Sequence, residues 1–339
     1  MKTKLLKAND DSIKLACELL KKGEVVGVPT ETVYGLAGDS TSSSAIKKIF
    51  EAKGRPADNP LIVHIASIDM LDGIVREFNE DAGKLASAFW PGPLTIIMPK
   101  GKKICNETSA GLDSVGVRMP SNEIARAIIS KSGIAFSAPS ANLSGKPSPT
   151  TAKDVYVDMK GRIPLIIDGG ECDAGVESTV ISVLEKTPVI LRPGIITKED
   201  IERVLNKNVL LAKEVTAGVT DESKVLSPGM KYKHYAPNAK VTIIKSSLED
   251  FIGFINSHKT ENTFAMCFDG EEKLMPVPAM SYGNISDPKS QAHNLFSILR
   301  ELDETDAEQV FVRCPDMTGI SLAVYNRLIR SAGFNIIEI

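Results

Sequence analysis

Short apolar runs alternate with segments of helical period along this chain, and residues 29–65 show the pattern most clearly. The apolar run just before that segment, residues 25–28, predicts a strand, and a small, hydroxyl-rich loop follows it. Apolar residues then recur at helical spacing up to Gly54, which predicts a short helix that ends there. A second apolar run, residues 61–65, contains a single polar side chain, His64. The pattern therefore predicts strand, loop, helix and strand around a small group of polar side chains.

The remainder of the first two hundred residues shows the same alternation. We predict helices over residues 12–22, 68–77, 81–89, 121–131 (capped by Ser121) and 197–205, and strands over residues 94–98, 115–119, 134–137, 165–167, 178–183 and 189–191. Two connecting segments, residues 108–114 and 138–150, are rich in small and hydroxyl-bearing residues. A loop as long as the second one is usually functional or disordered. Its place after a strand favours a functional loop.

A change of pattern separates the last hundred residues from the rest. Residues 206–240 have no clean period and contain the motif SPGMKYKHYAP, so we interpret them as a linker. Beyond them, strand-like runs alternate with helix-like segments at residues 241–244, 248–257, 264–268, 291–302, 310–313 and 322–331. This alternation predicts a parallel-sheet, three-layer module of Rossmann type. The predicted division is thus residues 1–205, a linker of residues 206–240, and residues 241–339.

Composition and charge narrow the class of protein. The chain has 339 residues, 42% hydrophobic and 24% charged, which is globular composition. A net charge of -3 argues against a protein whose main partner is nucleic acid. The five cysteines contain no CxxC pair, so neither a zinc site nor a disulfide framework is indicated. With a polar start, MKTKLLKANDDS, and no long apolar run, the sequence predicts a cytoplasmic protein that does not associate with membranes.

Polar side chains collect at the ends of the predicted strands. They are Thr30, Thr32, Lys53, Arg55, Asn59, His64, Ser114, Arg118, Ser140, Asn142, Ser148, Ser178 and Arg192. Four cations among many hydroxyls and amides describe a pocket for an anion such as a nucleotide phosphate. Phosphoryl or nucleotidyl transfer needs mainly positioning and charge, which suits a site without an evident nucleophile. The turn at Asp168 to Gly170 is as readily a tight turn as a ligand site.

Seven motifs in order resemble one family. They are PTETVYGLAG, KxR at Lys53, NPLIVHI, SxN at Ser140, STV at Ser178, RPG at Arg192 and SPGMKYKHYAP. Together they are similar to the threonylcarbamoyl-AMP synthases of the Sua5/YrdC/YwlC family, in its long Sua5 form. The resemblance implies an α/β fold with a YrdC-like open, twisted mixed sheet and a smaller Rossmann-like C-terminal domain. It also implies that the linker acts as a lid over the active site.

The resemblance implies an activity and a set of roles. The family joins L-threonine, bicarbonate or CO2, and ATP into threonylcarbamoyl-AMP and pyrophosphate, for t6A modification at position 37 of tRNAs that read ANN codons. Lys53 and Arg55 resemble the catalytic pair. The ATP-binding set is Arg55, Asn59, Ser114, Ser140, Asn142, Ser148, Arg192 and Tyr235, and the threonine-binding set is Thr32, His64, Arg118, Ala138 (by its backbone) and Ser178. Lys231 and His234 are further linker candidates that the sequence does not rank against Tyr235.

Cofactors and partners follow from the same resemblance. Mg²⁺ is expected to accompany ATP without a dedicated protein metal site. The expected recipient of the product is the downstream tRNA threonylcarbamoyltransferase complex, with weak or no direct binding of nucleic acid.

Two other functions remain as alternatives. A basic groove in such a sheet could instead bind duplex RNA through its phosphates, which steep salt dependence would reveal. Another carbamoyl or adenylyl transferase could use the same pocket, but its hydrogenase-maturation relatives carry zinc-finger and acylphosphatase-like domains that have no counterpart here. The C-terminal domain has no evident catalytic set, and we expect it to anchor the linker.

Overall fold

Two β-sheets organise the chain. The computed structural model describes residues 1–57, 59–215 and 235–339. The strands of the first sheet are β1 (Lys4–Lys7), β2 (Val26–Val28), β3 (Gly35–Asp39), β4 (Ile62–His64), β5 (Leu94–Pro99), β6 (Ser114–Arg118), β7 (Phe136–Ser137), β8 (Leu165–Asp168), β9 (Thr179–Ser182), β10 (Val189–Arg192) and β11 (Leu210–Leu211). Their order is β1-β8-β2-β3-β7-β4-β6-β5-β9-β10-β11, with parallel and antiparallel pairs.

Helices cover the first sheet because the buried side chains of its strands alternate between two faces. The helices are α1 (Asp10–Lys21), α2 (Ser43–Lys53), α3 (Glu80–Phe89), α4 (Asn106–Ser109), α5 (Glu123–Ser132), α6 (Ala152–Met159) and α7 (Lys198–Leu205). On β2, Val26 and Val28 pack with the apolar residues of α1 and α5. Leu36 of β3 packs with those of α2 and α6 instead. This period of two is what a sheet covered on both sides requires.

The second sheet is entirely parallel. Its strands are β12 (Lys240–Lys245), β13 (Thr263–Cys267), β14 (Ala279–Ser281), β15 (Gln309–Arg313) and β16 (Ile336–Glu338), in the order β14-β13-β15-β12-β16. The helices α8 (Leu248–His258), α9 (Pro288–Leu302) and α10 (Ser321–Ser331) alternate with them. The Rossmann-like prediction for this part of the chain is therefore confirmed.

The structure corrects several local predictions in the first two hundred residues. The helix predicted over residues 68–77 is wrong: only a single 3-10 turn, Ile68–Leu71, forms there. Gly73 follows it with a φ of 74°, in the left-handed region that ends a helix. The helix α5 is capped by Asn122 rather than Ser121, because the Asn122 side chain accepts hydrogen bonds from the backbone N–H groups of Ile124 and Ala125.

Two predicted loops contain regular structure. Residues 35–39 form β3 rather than part of a loop, and residues 106–109 form the short helix α4. Gly35 is needed in β3 because a Cβ atom there would lie 2.9 Å from the Cβ of Ala138. The long loop of residues 138–150 has no helix or strand of its own, as predicted. The start of the predicted linker also lies on the first sheet, since β11 pairs with β10.

One apolar cluster joins the two parts of the chain. Val33, Val176 and Tyr235 pack in the same cluster as Phe296 of α9 and Leu328 of α10. Among the described residues, no helix is both long and apolar enough to cross a membrane. The domain boundaries at 205/206 and 240/241 stay predictions.

Candidate active site

Lys53 is the last residue of α2, and its side chain is buried. The helix ends at Gly54, which adopts left-handed backbone angles. The Nζ of Lys53 donates hydrogen bonds to the carbonyl oxygens of Ser140, at 2.5 Å, and Asn142, at 2.9 Å. Burial, and then the nearby charge of Arg55, lower the pKa of Lys53 well below its usual value. A buried lysine that is costly to keep charged gains from an anion that binds beside it.

The polar atoms of the turn at Ser140 and Asn142 lie beside the side chain of Lys53. The Ser140 hydroxyl donates a 2.6 Å hydrogen bond to the Asn142 side-chain oxygen. The amide nitrogen of Asn142 donates to the carbonyls of Leu143 and Lys146, at 2.8 Å each. The carbonyl groups therefore engage Lys53, and the side chains are fixed by the loop that carries them. The long loop is thus held in one conformation next to the end of α2.

His64 and Arg118 are neighbours across two parallel strands, because His64 of β4 is in register with Arg118 of β6. The Nδ1 atom of His64 lies 3.2 Å from the carbonyl oxygen of Ile62. Burial, and then the charge of Arg118, lower the pKa of His64 to about 3. The imidazole is therefore neutral near pH 7. With Nδ1 donating to Ile62, Nε2 is left as an acceptor for a ligand N–H or O–H.

Arg118 is held by a carboxylate that the sequence did not single out. Its guanidinium lies 2.7 Å from Oε1 of Glu31 and donates a 2.9 Å hydrogen bond to the hydroxyl of Thr32. Burial on its own raises the pKa of Glu31, but the facing Arg118 more than offsets this and the net shift is downward. Glu31 thus stays ionised. The guanidinium has five N–H donors, so others remain for a ligand carboxylate.

A second buried carboxylate, Glu177, stands at the other side of the site. It precedes Ser178, whose carbonyl and hydroxyl oxygens accept hydrogen bonds from Arg192 at 3.0 and 3.2 Å. Oε1 of Glu177 accepts a 2.6 Å hydrogen bond from the hydroxyl of Ser148. Burial first, with a further contribution from Arg327, lowers the pKa of Arg192 to about 10, although Glu177 opposes the shift. Arg192 remains charged near neutral pH.

A pocket brings most of the predicted residues together. Those that line it are Thr32, Lys53, Arg55, His64, Arg118, Ala138, Ser140, Asn142, Ser178, Arg192 and Tyr235, together with Thr30 and Glu177. Three predicted ATP-binding residues are not part of this lining. Asn59 and Ser114 are buried elsewhere, with Ser114 at the opposite end of β6 from Arg118. Ser148 reaches the pocket only through Glu177. Their roles stay predictions.

The predicted linker candidates divide between described and undescribed parts of the chain. Tyr235 is buried and packs against Phe296 of the C-terminal part, with ring centroids 5.0 Å apart and ring planes tilted by 35°. Lys231 and His234 lie outside the described residues. The described residues therefore place one of the three candidates in the pocket wall.

The family follows from three comparisons with known proteins. A family model for Sua5, YciO and YrdC proteins, described as "Telomere recombination", matches residues 18–194. A model described as "Threonylcarbamoyl-AMP synthase, C-terminal domain" matches residues 196–333. The chain is 44% identical to the threonylcarbamoyl-AMP synthase of Bacillus subtilis, over 98% of this chain and 96% of that protein. It is 42% identical to the synthase of Pyrococcus abyssi, over 96% of each.

The chain belongs to the threonylcarbamoyl-AMP synthase family. A solved structure, Sua5 of P. abyssi complexed with L-threonine, resembles this one with a TM-score of 0.90 and 39% sequence identity, over 100% of this chain and 99% of that one. The predicted family and the predicted fold class are both confirmed.

Membership of the threonylcarbamoyl-AMP synthase family leaves two carboxylates to explain. Glu31 and Glu177 each stand one residue before a predicted threonine-binding residue: Glu31 lies within the PTETVYGLAG segment, and Glu177 lies directly before the STV segment. That adjacency was the only feature of the sequence that pointed to the two carboxylates. Nothing in the pattern could show that both would be buried against arginines.

Proposed function

We propose that this protein is an L-threonylcarbamoyladenylate synthase, which converts L-threonine, bicarbonate or CO2, and ATP into threonylcarbamoyl-AMP and pyrophosphate. The observation that carries the proposal is the pocket itself: three arginines and a lysine stand around a neutral imidazole, in a member of this family. The cations suit a triphosphate and a carboxylate. The imidazole and the hydroxyl groups of the protein's own threonine side chains in the pocket suit the binding of a small hydroxy amino acid.

The reaction divides into two bond-forming steps. The threonine nitrogen attacks the carbon of CO2, a C–N bond forms, and the nitrogen loses a proton to solvent, which gives N-carboxy-threonine. An oxygen of the new carboxylate then attacks the α-phosphorus of ATP. That O–P bond forms while the bond between the α-phosphorus and its bridging oxygen breaks, and pyrophosphate leaves. The second step is an adenylyl transfer, which makes the enzyme a nucleotidyltransferase.

The residues of the pocket divide between the two substrates. On the threonine side, Arg118 receives the carboxylate, and the Nε2 atom of His64 accepts a hydrogen bond from the substrate. Thr32, Ser178 and the backbone of Ala138 complete this side. On the nucleotide side, Lys53 and Arg55 stabilise charge that develops on the triphosphate, and Ser140, Asn142, Arg192 and Tyr235 bind the remaining groups.

Mg²⁺ enters as part of the ATP substrate. Within the described residues, no group of three or more His, Cys, Asp or Glu side chains is placed to hold a metal ion. Magnesium usually keeps several waters and binds through substrate phosphates, so we assign it to the nucleotide. When bound with ATP, it would supply charge neutralisation at the phosphates, beside Lys53 and Arg55.

The product is an activated carbamoyl group, so an acceptor must receive it. We propose that the acceptor is adenosine 37 of ANN-decoding tRNAs, through a separate threonylcarbamoyltransferase complex, with no stable tRNA complex on this protein.

The five cysteines are unpaired thiols, which suits a protein of the cytoplasm.

Pyrophosphate release tests the proposal directly. Purified protein would be supplied with ATP and Mg²⁺, with L-threonine, L-serine or no amino acid, each with and without bicarbonate. We expect release that requires bicarbonate and is fastest with threonine. If no mixture released pyrophosphate and the protein bound duplex RNA with steep salt dependence, the pocket would have to be a groove for a nucleic-acid backbone.

A further inference from the structure

One fully buried arginine of the C-terminal domain reaches into the first domain. Arg327 lies on α10 and has no exposed surface. Its Nε donates a 3.0 Å hydrogen bond to Oε2 of Glu177. Its terminal nitrogens donate to two backbone carbonyls, those of Glu177 at 3.1 Å and Pro193 at 2.5 Å. A single guanidinium therefore forms hydrogen bonds with two segments of the first domain.

Both segments adjoin residues of the pocket. Glu177 stands directly before Ser178, at the start of β9, and Pro193 stands directly after Arg192, at the end of β10. These strands are antiparallel, so the two segments meet at the same edge of the sheet. The planar fork of an arginine can hold several acceptors in fixed directions at once. Arg327 thus fixes the separation of the two backbones that carry Ser178 and Arg192.

The contact also extends to the loop of residues 138–150. The second carboxylate oxygen of Glu177 accepts a hydrogen bond from Ser148, which lies in that loop. A second arginine of the C-terminal domain, Arg300 of α9, donates to the Pro147 carbonyl at 2.6 Å and to Oδ2 of Asp158 at 2.8 Å. Two arginines from one domain therefore hold the loop and strand ends that border the pocket.

The charges of Glu177 and its neighbouring arginines also indicate that Arg327 holds this side of the pocket in place. Burial by itself raises the pKa of Glu177, but Arg327 and then Arg192 outweigh it, so the net shift is downward and the carboxylate is ionised. Without Arg327, Arg192 would be the cation with the largest remaining effect on Glu177. Arg192 would then be drawn to Glu177 at the expense of its hydrogen bonds with Ser178.

We propose that Arg327 is a positioning residue of the active site: it holds Ser178 and Arg192 in place through Glu177 and the Pro193 carbonyl, so the C-terminal domain sets the geometry of the pocket without contacting substrate. The identity of the two ligands in this proposal rests on the proposed function. The geometry does not, because the contacts of Arg327 are made by the protein alone.

The test compares two buried arginine–glutamate pairs. Arg327→Met removes the interdomain contact. Arg313→Met is the matched control, because Arg313 pairs with Glu271 through a 2.9 Å contact that is also largely buried, inside the C-terminal domain. Binding of an ATP analogue that cannot be cleaved, and of L-threonine, is measured by calorimetry, and steady-state pyrophosphate release is measured for each variant. Thermal unfolding of each variant reports how much folded protein is present.

We expect Arg327→Met to raise the Kd of both ligands roughly tenfold, because small displacements in a preformed site have large effects. We expect Arg313→Met to lower the melting temperature while both Kd values stay within about twofold of wild type, since distant sites act independently. If Arg327→Met does not fold, Arg327→Lys and Glu177→Gln replace it. Each keeps a polar partner at the contact, and each is expected to raise the same two Kd values by a smaller factor.

The outcomes separate this proposal from the proposed function. Wild-type Kd values in the folded Arg327 variants would overturn the positioning role, whatever their melting temperatures. Wild-type protein that binds both ligands but releases no pyrophosphate would overturn the proposed function alone. Wild-type protein that binds neither ligand would overturn both.

Discussion

The ion pair between Glu31 and Arg118 sets the charge at one side of the pocket. The two groups are 2.7 Å apart, and their side chains are 9% and 4% exposed. In such surroundings, removal of one partner leaves an uncompensated charge, which typically costs about 3–5 kcal/mol. The pair also fixes the direction in which the remaining N–H groups of Arg118 point. Glu31 therefore contributes to both stability and binding, although it does not line the pocket.

Glu31→Gln should lower the free energy of unfolding by about 3 kcal/mol, because Arg118 then stays buried without its counter-charge. It should also raise the KM for threonine more than the KM for ATP, since the proposed function assigns Arg118 to the threonine carboxylate. Denaturant unfolding and pyrophosphate release would measure the two effects. Asp72→Asn is the control, because the Asp72–Lys103 pair is exposed and should contribute little. An equal rise in both KM values would contradict this division of roles.

The buried imidazole of His64 gives a second prediction at the same scale. Its pKa is about 3 in the folded protein, against about 6.5 in an unfolded chain. Below pH 6.5 the unfolded state takes up a proton that the folded state does not, so His64 makes the protein less stable as the pH falls. Between pH 7 and pH 5 the loss from this group alone should be about 2 kcal/mol.

His64→Gln should remove that contribution. The variant will be less stable than wild type at pH 7, but its stability should fall less steeply between pH 7 and pH 5, by about 2 kcal/mol over the interval. Denaturant unfolding at pH 7, 6 and 5 would show the difference. His258→Gln, at an exposed position on α8, serves as the control for a histidine outside the pocket. Parallel curves for wild type and His64→Gln would mean that His64 takes up its proton with the same pKa in the folded protein as in the unfolded chain.

At the scale of elements, the C-terminal end of α2 places charged side chains at the site. Gly54 has a φ of 62°, and a Cβ atom there would meet nothing within 4 Å. Gly23, which follows α1, has a φ of 71° and equally open surroundings. Both positions require left-handed backbone angles, so the two glycines differ mainly in what lies beside them. Gly54 stands between Lys53 and Arg55, whereas Gly23 is remote from the pocket lining.

Gly54→Ala and Gly23→Ala should therefore cost similar stability, about 1 kcal/mol each, as expected for alanine in left-handed geometry. Only Gly54→Ala should reduce pyrophosphate release, because a shift at the helix end moves Lys53 and Arg55 together. Thermal unfolding and kcat/KM for both substrates would be measured side by side. A loss of activity in both variants, or in neither, would show that the end of α2 does not position the two cations.

The prediction of helices and strands is correct where apolar residues follow a strong period, and it fails where small residues take their place. In the C-terminal domain, alternating apolar runs and helical periods located α8, α9 and α10 to within about three residues of their ends. The strand β3 was missed because its sequence, GLAGD, has neither β-branched residues nor alternation. It pairs with β2 and β7, and its Gly35 lies where a Cβ atom would be only 2.9 Å from the Cβ of Ala138. Such tertiary fit has no local signal.

The site shows the same division. Cations and hydroxyls at strand ends were sufficient to predict a shared pocket, and most of them line one; that it binds an anion stays a prediction. The partners of those residues were not predictable, because Glu31, Glu177 and Arg327 act through contacts across large sequence separations. The Arg327–Glu177 pair, for example, spans 150 residues. A charged residue on a predicted helix is normally assigned to the solvent-exposed face, which is the opposite of its position here.

For the whole molecule, the shared apolar cluster and the Arg327–Glu177 pair make the two domains one structural unit. A chain of residues 1–240 would expose Val33 and Val176, which the complete chain buries against the C-terminal domain. We expect this truncated protein to melt at a lower temperature and to keep weakened but measurable pyrophosphate release, since the pocket lining itself comes from residues 30–235. Undiminished release at an unchanged melting temperature would contradict the coupling.

Glu177→Gln distinguishes loss of the ion pair from loss of apolar packing in that comparison. In the complete chain the substitution leaves Arg327 buried without its counter-charge, and it should lower the free energy of unfolding by about 3 kcal/mol. In the truncated chain Arg327 and the rest of the C-terminal domain are absent, so the same substitution changes only the interactions of Glu177 with Arg192 and Ser148 and should cost less than about 1 kcal/mol. Denaturant unfolding of the four proteins closes a cycle that measures the coupling between Glu177 and the C-terminal domain. Equal costs in both backgrounds would show that Glu177 is stabilised within the first domain, by Arg192 and Ser148, and that the C-terminal domain acts through apolar packing alone.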